Sequence, residues 1–130
     1  MNTEDYVSYP IAVALKAAGF YEPCDHYYNR HGNLNRYADT DRINRNTNGH
    51  HTPSCSAPHI YQAQKWLRQK KEIFVEVTSE ALHDWDFFVM ELDGDANVGV
   101  VRGSEIYPSY ESSLSAGIAA ALELIKPAHQ

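Results

Sequence analysis

Apolar residues recur along the chain in three helical stripes, with alternating segments between them. Ser8 stands where a helix can be capped and Pro10 suits a first turn. Ile11, Ala14, Leu15 and Ala18 then follow at helical spacing until Gly19, which predicts a short amphipathic helix stopped by glycine. From Tyr27 to Tyr37 aromatic ends enclose a polar run centred on Gly32, the pattern of a β-hairpin. Residues 38–55 are polar, with Asn44, Asn46, Asn48 and Gly49, and predict a long loop. That length exceeds an ordinary connection, which marks the loop as functional or mobile.

A second helix is expected after Ser56, with Pro58 in its first turn. Ile60, Ala63 and Leu67 share a face, flanked by Tyr61 and Trp66, and the last turn is basic, which suits the negative end of the helix dipole. Ile73, Val75 and Val77 alternate as a strand. From Trp85 to Leu92 both sides are apolar, which predicts a central strand covered on each face. Val98 to Arg102 predicts the next strand, extended by Glu105 to Tyr107. Ser109 caps a final helix with Leu114, Ile118, Ala121, Leu122 and Ile125 on its buried stripe. Its small residues Ala116, Gly117, Ala119 and Ala120 permit close approach to a sheet or to a second copy of the chain. The expected architecture is a single α+β domain over residues 1–130. Its order is α-β-β-α-β-β-β-α, with an antiparallel or mixed sheet of about five strands and three helices packed on it.

Composition agrees with this picture: 130 residues at 43% apolar content suit one globular domain. No apolar run approaches the roughly 18 residues of a spanning helix. The start Met-Asn-Thr-Glu-Asp lacks a secretory pattern, so a cytoplasmic protein is expected. Charge is divided unevenly. Residues 1–71 carry nine Lys/Arg and six Asp/Glu, whereas residues 72–130 carry two and eleven, for a total of −6. Net acidity argues against non-specific binding to nucleic acid and leaves a local basic face possible.

The chemistry-bearing residues concentrate between Cys24 and His59, which span both cysteines and five of the seven histidines. Cys24, His26, His51 and Cys55 form a two-Cys, two-His set of the kind that holds zinc, the one cofactor the sequence suggests. The one-residue gap in Cys24-Asp25-His26 and the missing CxxC knuckle weaken that reading. Against it stand two small buried thiols with histidines on a polar loop. Cys55 just before a helix also has the placement of an activated nucleophile, with His50, His51 or His59 as base, but no oxyanion or substrate group accompanies it. Asp93-Gly94-Asp95-Ala96-Asn97 imitates a calcium loop, yet Gly99 and Glu105 each fall one place late, and a polar hairpin turn explains the segment. His83-Asp84-Trp85-Asp86 places carboxylates beside an imidazole, an arrangement that in most proteins is a solvated loop.

Further segments carry a resemblance: Glu4-Asp5-Tyr6-Val7-Ser8, Gly19-Phe20 with Glu22-Pro23-Cys24, and Cys55-Ser56-Ala57-Pro58 followed by Gln64-Lys65-Trp66-Leu67-Arg68. Ser109-Tyr110-Glu111-Ser112-Ser113-Leu114, leading into Ala119-Ala120-Ala121-Leu122-Glu123-Leu124-Ile125, completes it. Together they resemble a family of small proteins from phages and mobile elements of gut Bacteroidetes. The likeness covers most of the chain except residues 38–54, which look like an insertion. It implies a phage or prophage origin and brings no activity or site residues with it.

Helix, three antiparallel strands and helix over residues 57–125 is also the element order of a double-stranded-RNA-binding domain. Such domains start their final helix with basic residues, whereas this one reads Ser109-Tyr110-Glu111. The sequence therefore leads to a non-catalytic interaction module, monomeric or homodimeric, that binds a protein partner. Its contact residues would be Tyr27, Tyr28, Arg30, Arg36 and Tyr37, because Tyr and Arg are favoured at protein contacts. A zinc- or nucleic-acid-binding domain built on the 24–59 region is the alternative. No membrane association is expected.

Overall fold

The computed structural model describes residues 3–36, 46, 54–81, 84–93, 97–103 and 105–125. The chain divides into two compact units, Met1–His59 with Ile125–Gln130, and Ile60–Leu124.

In the first unit a 3-10 turn at Thr3–Asp5 leads to helix α1, Tyr9–Ala17. Ser8 occupies the N-cap position, but its side chain makes no capping bond. The helix ends at Ala18, and Gly19 follows with φ 97°, a left-handed value that glycine adopts without strain. Strands β1 (His26–Tyr28), β2 (Leu34–Arg36) and β3 (Cys55–Ser56) form an antiparallel sheet in the order β2-β1-β3. The hairpin expected between Tyr27 and Tyr37 is thus present as β1 and β2, paired Tyr28 with Leu34 and His26 with Arg36. Helix α1 packs on β3 and buries Ile11, Ala12 and Leu15. Ala12 takes the buried place that the periodicity assigned to Ala14, which stays half-exposed. Val7, Phe20, Cys24, Tyr28, Cys55, Ala57 and Pro58 are also buried among the described residues of this unit.

The second unit begins with helix α2, Ile60–Lys71. Pro58 precedes the helix instead of sitting in its first turn, because residues 55–56 are drawn into β3. A single residue, Glu72 at φ 56°, turns the chain from α2 into β4 (Ile73–Ala81). Strands β5 (Asp84–Asp93) and β6 (Asn97–Arg102) follow, and the sheet is antiparallel in the order β4-β5-β6. Helix α3, Tyr110–Glu123, is capped as expected. Ser109 Oγ accepts from the Ser112 backbone N–H at 3.1 Å, while Ser112 Oγ accepts from the Ser109 N–H at 3.2 Å. α2 and α3 pack against each other and on β4, and α3 also lies on β5. Ile73, Val75, Phe87 and Val89 on the sheet meet Ala63, Trp66, Leu67, Leu114, Ile118 and Ala121 as the buried core.

The α+β class and the element order read from the pattern hold. Two differences are physical. The strands form two three-stranded sheets, with β3 as a sixth strand too short to leave a pattern. β5 is central as expected, but both helices take its Phe87 and Val89 side, leaving Phe88 and Met90 on the opposite side half-buried. Gly117 faces the sheet, so at that position the small-residue stripe of α3 serves internal packing.

Candidate functional site

The residues singled out by sequence fall largely in the first unit, where its sheet and the segment before α1 place them. Strand alternation puts His26 and Tyr28 on the buried side of β1 and Tyr27 on the other. His26 is 3% exposed, and its Nδ1 lies 2.8 Å from Asp25 Oδ1. The Tyr6 ring covers it at a centroid distance of 4.1 Å and meets His59 edge-on at 5.5 Å. Tyr6 and His59 are also joined as a backbone bridge. Burial first, then the negative charge of Asp25, pushes the Tyr6 phenol above its ordinary pKa, while Arg36 opposes the shift. Tyr6, Asp25, His26 and His59 therefore form one cluster, with Arg36 near enough to act on the Tyr6 phenol. The Asp25 carboxylate orients the His26 ring, a contact that fixes a tautomer as readily in a core as in a catalytic centre.

The two thiols are buried and not joined to each other. Cys24 Sγ is directed to the Glu22 carbonyl at 3.6 Å. Cys55 lies in β3 opposite Tyr28, five residues before α2 begins. Burial pushes the Cys55 thiol up from its ordinary pKa, and nearby Lys16 only partly offsets this. A thiol held protonated by burial is a poor nucleophile, which weighs against the option of a Cys55 activated at a helix start. Lys16 itself donates to the Ser54 carbonyl at 2.9 Å, tying α1 to the residue before β3.

Of the zinc set Cys24, His26, His51 and Cys55, His51 lies outside the described residues, as do His50 and Tyr37. Among the described residues no three His, Cys, Asp or Glu side chains come together in a way that could hold a metal ion, so Cys24, His26 and Cys55 are not gathered into one site. His83 also lies outside the described residues. Asp86 Oδ1 accepts from the neighbouring Phe87 N–H at 2.7 Å, a local bond on its own strand. Of the segment that imitates a calcium loop, Asp93 ends β5 and pairs with Asn97 at the start of β6, while residues 94–96 lie outside the described residues.

The expected contact residues are also distributed differently from the sequence reading. Tyr28 is 8% exposed and its hydroxyl donates to the Val7 carbonyl at 2.6 Å, so it is an interior residue and not a contact residue. Tyr27 and Arg36 lie on opposite faces of the sheet, since Arg36 pairs with His26 and Tyr27 with Asn35. Arg30 and Arg36 are exposed, as is His31 between them in the chain. The tip that carries Arg30 and His31 is built by Asn29. Its Oδ1 accepts from the His31 N–H at 2.9 Å and the Asn33 N–H at 3.0 Å, while its carbonyl accepts from Gly32 at 3.0 Å. Gly32 has φ 78°, and a Cβ there would stand 3.3 Å from the Tyr9 ring of α1. The tip is thus held both by its own Asx turns and by contact with the helix.

Asn46, named from the sequence only as one of the polar residues of the 38–55 loop, has a buried role. It is 2% exposed, donates to the Phe20 carbonyl at 2.8 Å and accepts from the Ser56 N–H at 3.0 Å. A polar residue inside a polar stretch leaves no hydropathy signal, so burial of this kind is visible only in three dimensions.

In the second unit the helix, three-strand, helix order is present, with both helices on one side of the sheet. α3 begins Tyr110-Glu111, and no basic residue stands in its first or last turn. No helix among the described residues is long and apolar enough to cross a membrane. Comparison with known proteins finds no matching family model, no matching curated protein and no matching solved structure.

Proposed function

We propose that the chain is a small non-catalytic interaction module, of phage or mobile-element origin, that binds a protein partner through the β1–β2 hairpin. The observation that supports this most is the hairpin: Asn29 and Gly32 fix the backbone of its tip, where Arg30 and His31 are exposed, while Arg36 is exposed at the far end of β2. Arginine on a rigid turn is an effective contact residue, because little backbone freedom is lost on binding and the guanidinium offers several donors. The buried state of Cys24, His26 and Cys55 fits a scaffold role for the chemistry-bearing residues.

A photoreactive side chain at Asn33, compared with one at Gln69 on α2, tests the assignment. The expected result is a discrete adduct from position 33 that disappears when Arg30→Ala and Arg36→Ala are combined. The same adducts from both positions, or adducts indifferent to the two arginines, would remove the hairpin from the proposal.

A further inference from the structure

Four aromatic residues from four different segments of the Ile60–Leu124 unit meet at one end of its helix-covered sheet face. Tyr61 comes from the first turn of α2, Trp85 from the start of β5, Tyr107 from the link after β6, and Tyr110 from the first turn of α3. Trp85 and Tyr107 are locked by a reciprocal pair of backbone hydrogen bonds. The Trp85 N–H donates to the Tyr107 carbonyl at 3.0 Å and the Tyr107 N–H to the Trp85 carbonyl at 2.7 Å. The Tyr110 ring meets Trp85 edge-on at 5.6 Å and Tyr61 at 6.2 Å. Tyr61 is 44% exposed, and Trp85, Tyr107 and Tyr110 are each half-buried, so solvent reaches the group.

The surroundings of these rings are acidic. Glu105 is exposed two residues before Tyr107 and Glu111 follows Tyr110, while Asp84, next to Trp85 in the chain, falls on the opposite face of β5. Burial first, then Glu105 and Asp86, raises the Tyr107 phenol above its ordinary pKa, which places both carboxylates within electrostatic reach of its hydroxyl. Between Glu72 and Ile125 the sequence has one cation, Arg102, and the basic half of α2 begins at Lys65, one turn beyond Tyr61. Aromatic faces attract cations through their quadrupole, and carboxylates at the rim add attraction of the same sign and select against anions.

We propose that this ledge is a second docking site, one that takes an arginine- or lysine-rich segment of a protein partner. It goes beyond the hairpin reading and does not depend on it. The two surfaces have opposite charge preference and lie in different units, so each stands or falls on its own variants. Side chains of the partner would lay cationic heads on Tyr110 and Tyr61 while Glu105 and Glu111 hold their charge. Trp85 reports the event directly.

The test uses the full chain in a Trp66→Phe background, so that fluorescence comes from Trp85, and titrates it with a nine-residue oligoarginine peptide. Saturable quenching is expected. Tyr110→Leu and Glu111→Gln should each weaken binding about fivefold, the scale of one partly desolvated cation–π or charge contact. Tyr110→Phe should keep most of it. Glu72→Gln is the control. Glu72 precedes Ile73, which pairs with Glu91, seven positions along β5 from Asp84 and so roughly 20 Å from the ledge. Its substitution should leave binding unchanged. Equal weakening by Glu72→Gln and Glu111→Gln would reduce the effect to net charge and overturn the site. So would absence of quenching, or quenching by a neutral oligosaccharide in place of the peptide. Should Tyr110→Leu fail to fold, Glu105→Gln at an exposed position carries the same expected loss.

Discussion

Gly117 offers the sharpest test of how the second unit is assembled. A Cβ at this position would stand 2.6 Å from Val75 Cγ1 and 3.1 and 3.2 Å from two Phe87 ring atoms. Carbon atoms in contact prefer about 3.5–4.0 Å, so Gly117→Ala forces an overlap of roughly 1 Å between α3 and the sheet. Overpacking of this kind costs about 1–3 kcal/mol. The same change removes a glycine from a helix interior, which returns about 1 kcal/mol. Overpacking outweighs propensity, and Gly117→Ala should destabilise the unit by about 1–2 kcal/mol. For a unit of this size that is a fall in melting temperature of about 4–8 °C per kcal/mol. Both tryptophans, Trp66 and Trp85, lie in this unit, so urea unfolding followed by fluorescence reads it selectively. The source of the strain is tested by removing it. Val75→Ala alone should cost about 2 kcal/mol through lost burial. Combined with Gly117→Ala, the total should fall short of additivity by about 1 kcal/mol, because the closest atom has gone. A Gly117→Ala protein as stable as the parent, or strict additivity of the pair, would refute this account of helix–sheet contact.

Two further predictions concern the first unit. Asn46→Ala removes two buried hydrogen bonds, one to the Phe20 carbonyl and one from the Ser56 N–H, and at about 1 kcal/mol per bond it should lower stability by more than an exposed polar substitution does; a loss below about 0.5 kcal/mol in thermal unfolding would show that water replaces it readily. Cys55 holds its proton more tightly folded than unfolded, so its contribution to stability is complete below the unfolded thiol pKa of 9.0 and is lost as pH rises above it. Native protein should therefore react with iodoacetamide at Cys55 far more slowly than urea-unfolded protein at the same pH, and Cys55→Ala should show a shallower alkaline decline in melting temperature than the parent; equal rates in the two states would show that the thiol is open to solvent.

Elements of the fold that rest on repeated apolar spacing were legible in the sequence. α3 with its Ser109 cap, the alternation of Ile73 and Val75, and the hairpin about Gly32 are each specified by several residues acting together. What escaped was specified by few residues. β3 has two positions, Cys55 and Ser56, and exists because Tyr27 and Tyr28 pair with it at separations of 29 and 27 positions, a relation no local window contains. α1 turned by part of a turn from its expected phase, burying Ala12, since alanine on either flank of Ile11 and Leu15 satisfies the same stripe.

The candidate sites show the same limit in another form. Crowding of cysteine and histidine along the chain suggested chemistry, but pleating sends Cys55, His26 and Tyr28 to the interior, where desolvation raises the thiol pKa and a ring stacks on the imidazole. Enrichment in one dimension is not convergence in three. Tyr61, Trp85, Tyr107 and Tyr110 illustrate the reverse case. They are spread over fifty positions, each unremarkable in its own segment, and they meet because the starts of α2, β5 and α3 and the link after β6 lie at the same end of one sheet. An aromatic residue at an element's end is weakly constrained by the core, so half-exposed rings from four such ends, with carboxylates and no lysine or arginine in the three segments from β5 to α3 that carry Trp85, Tyr107 and Tyr110 beyond Arg102 itself, are an arrangement that packing alone does not demand.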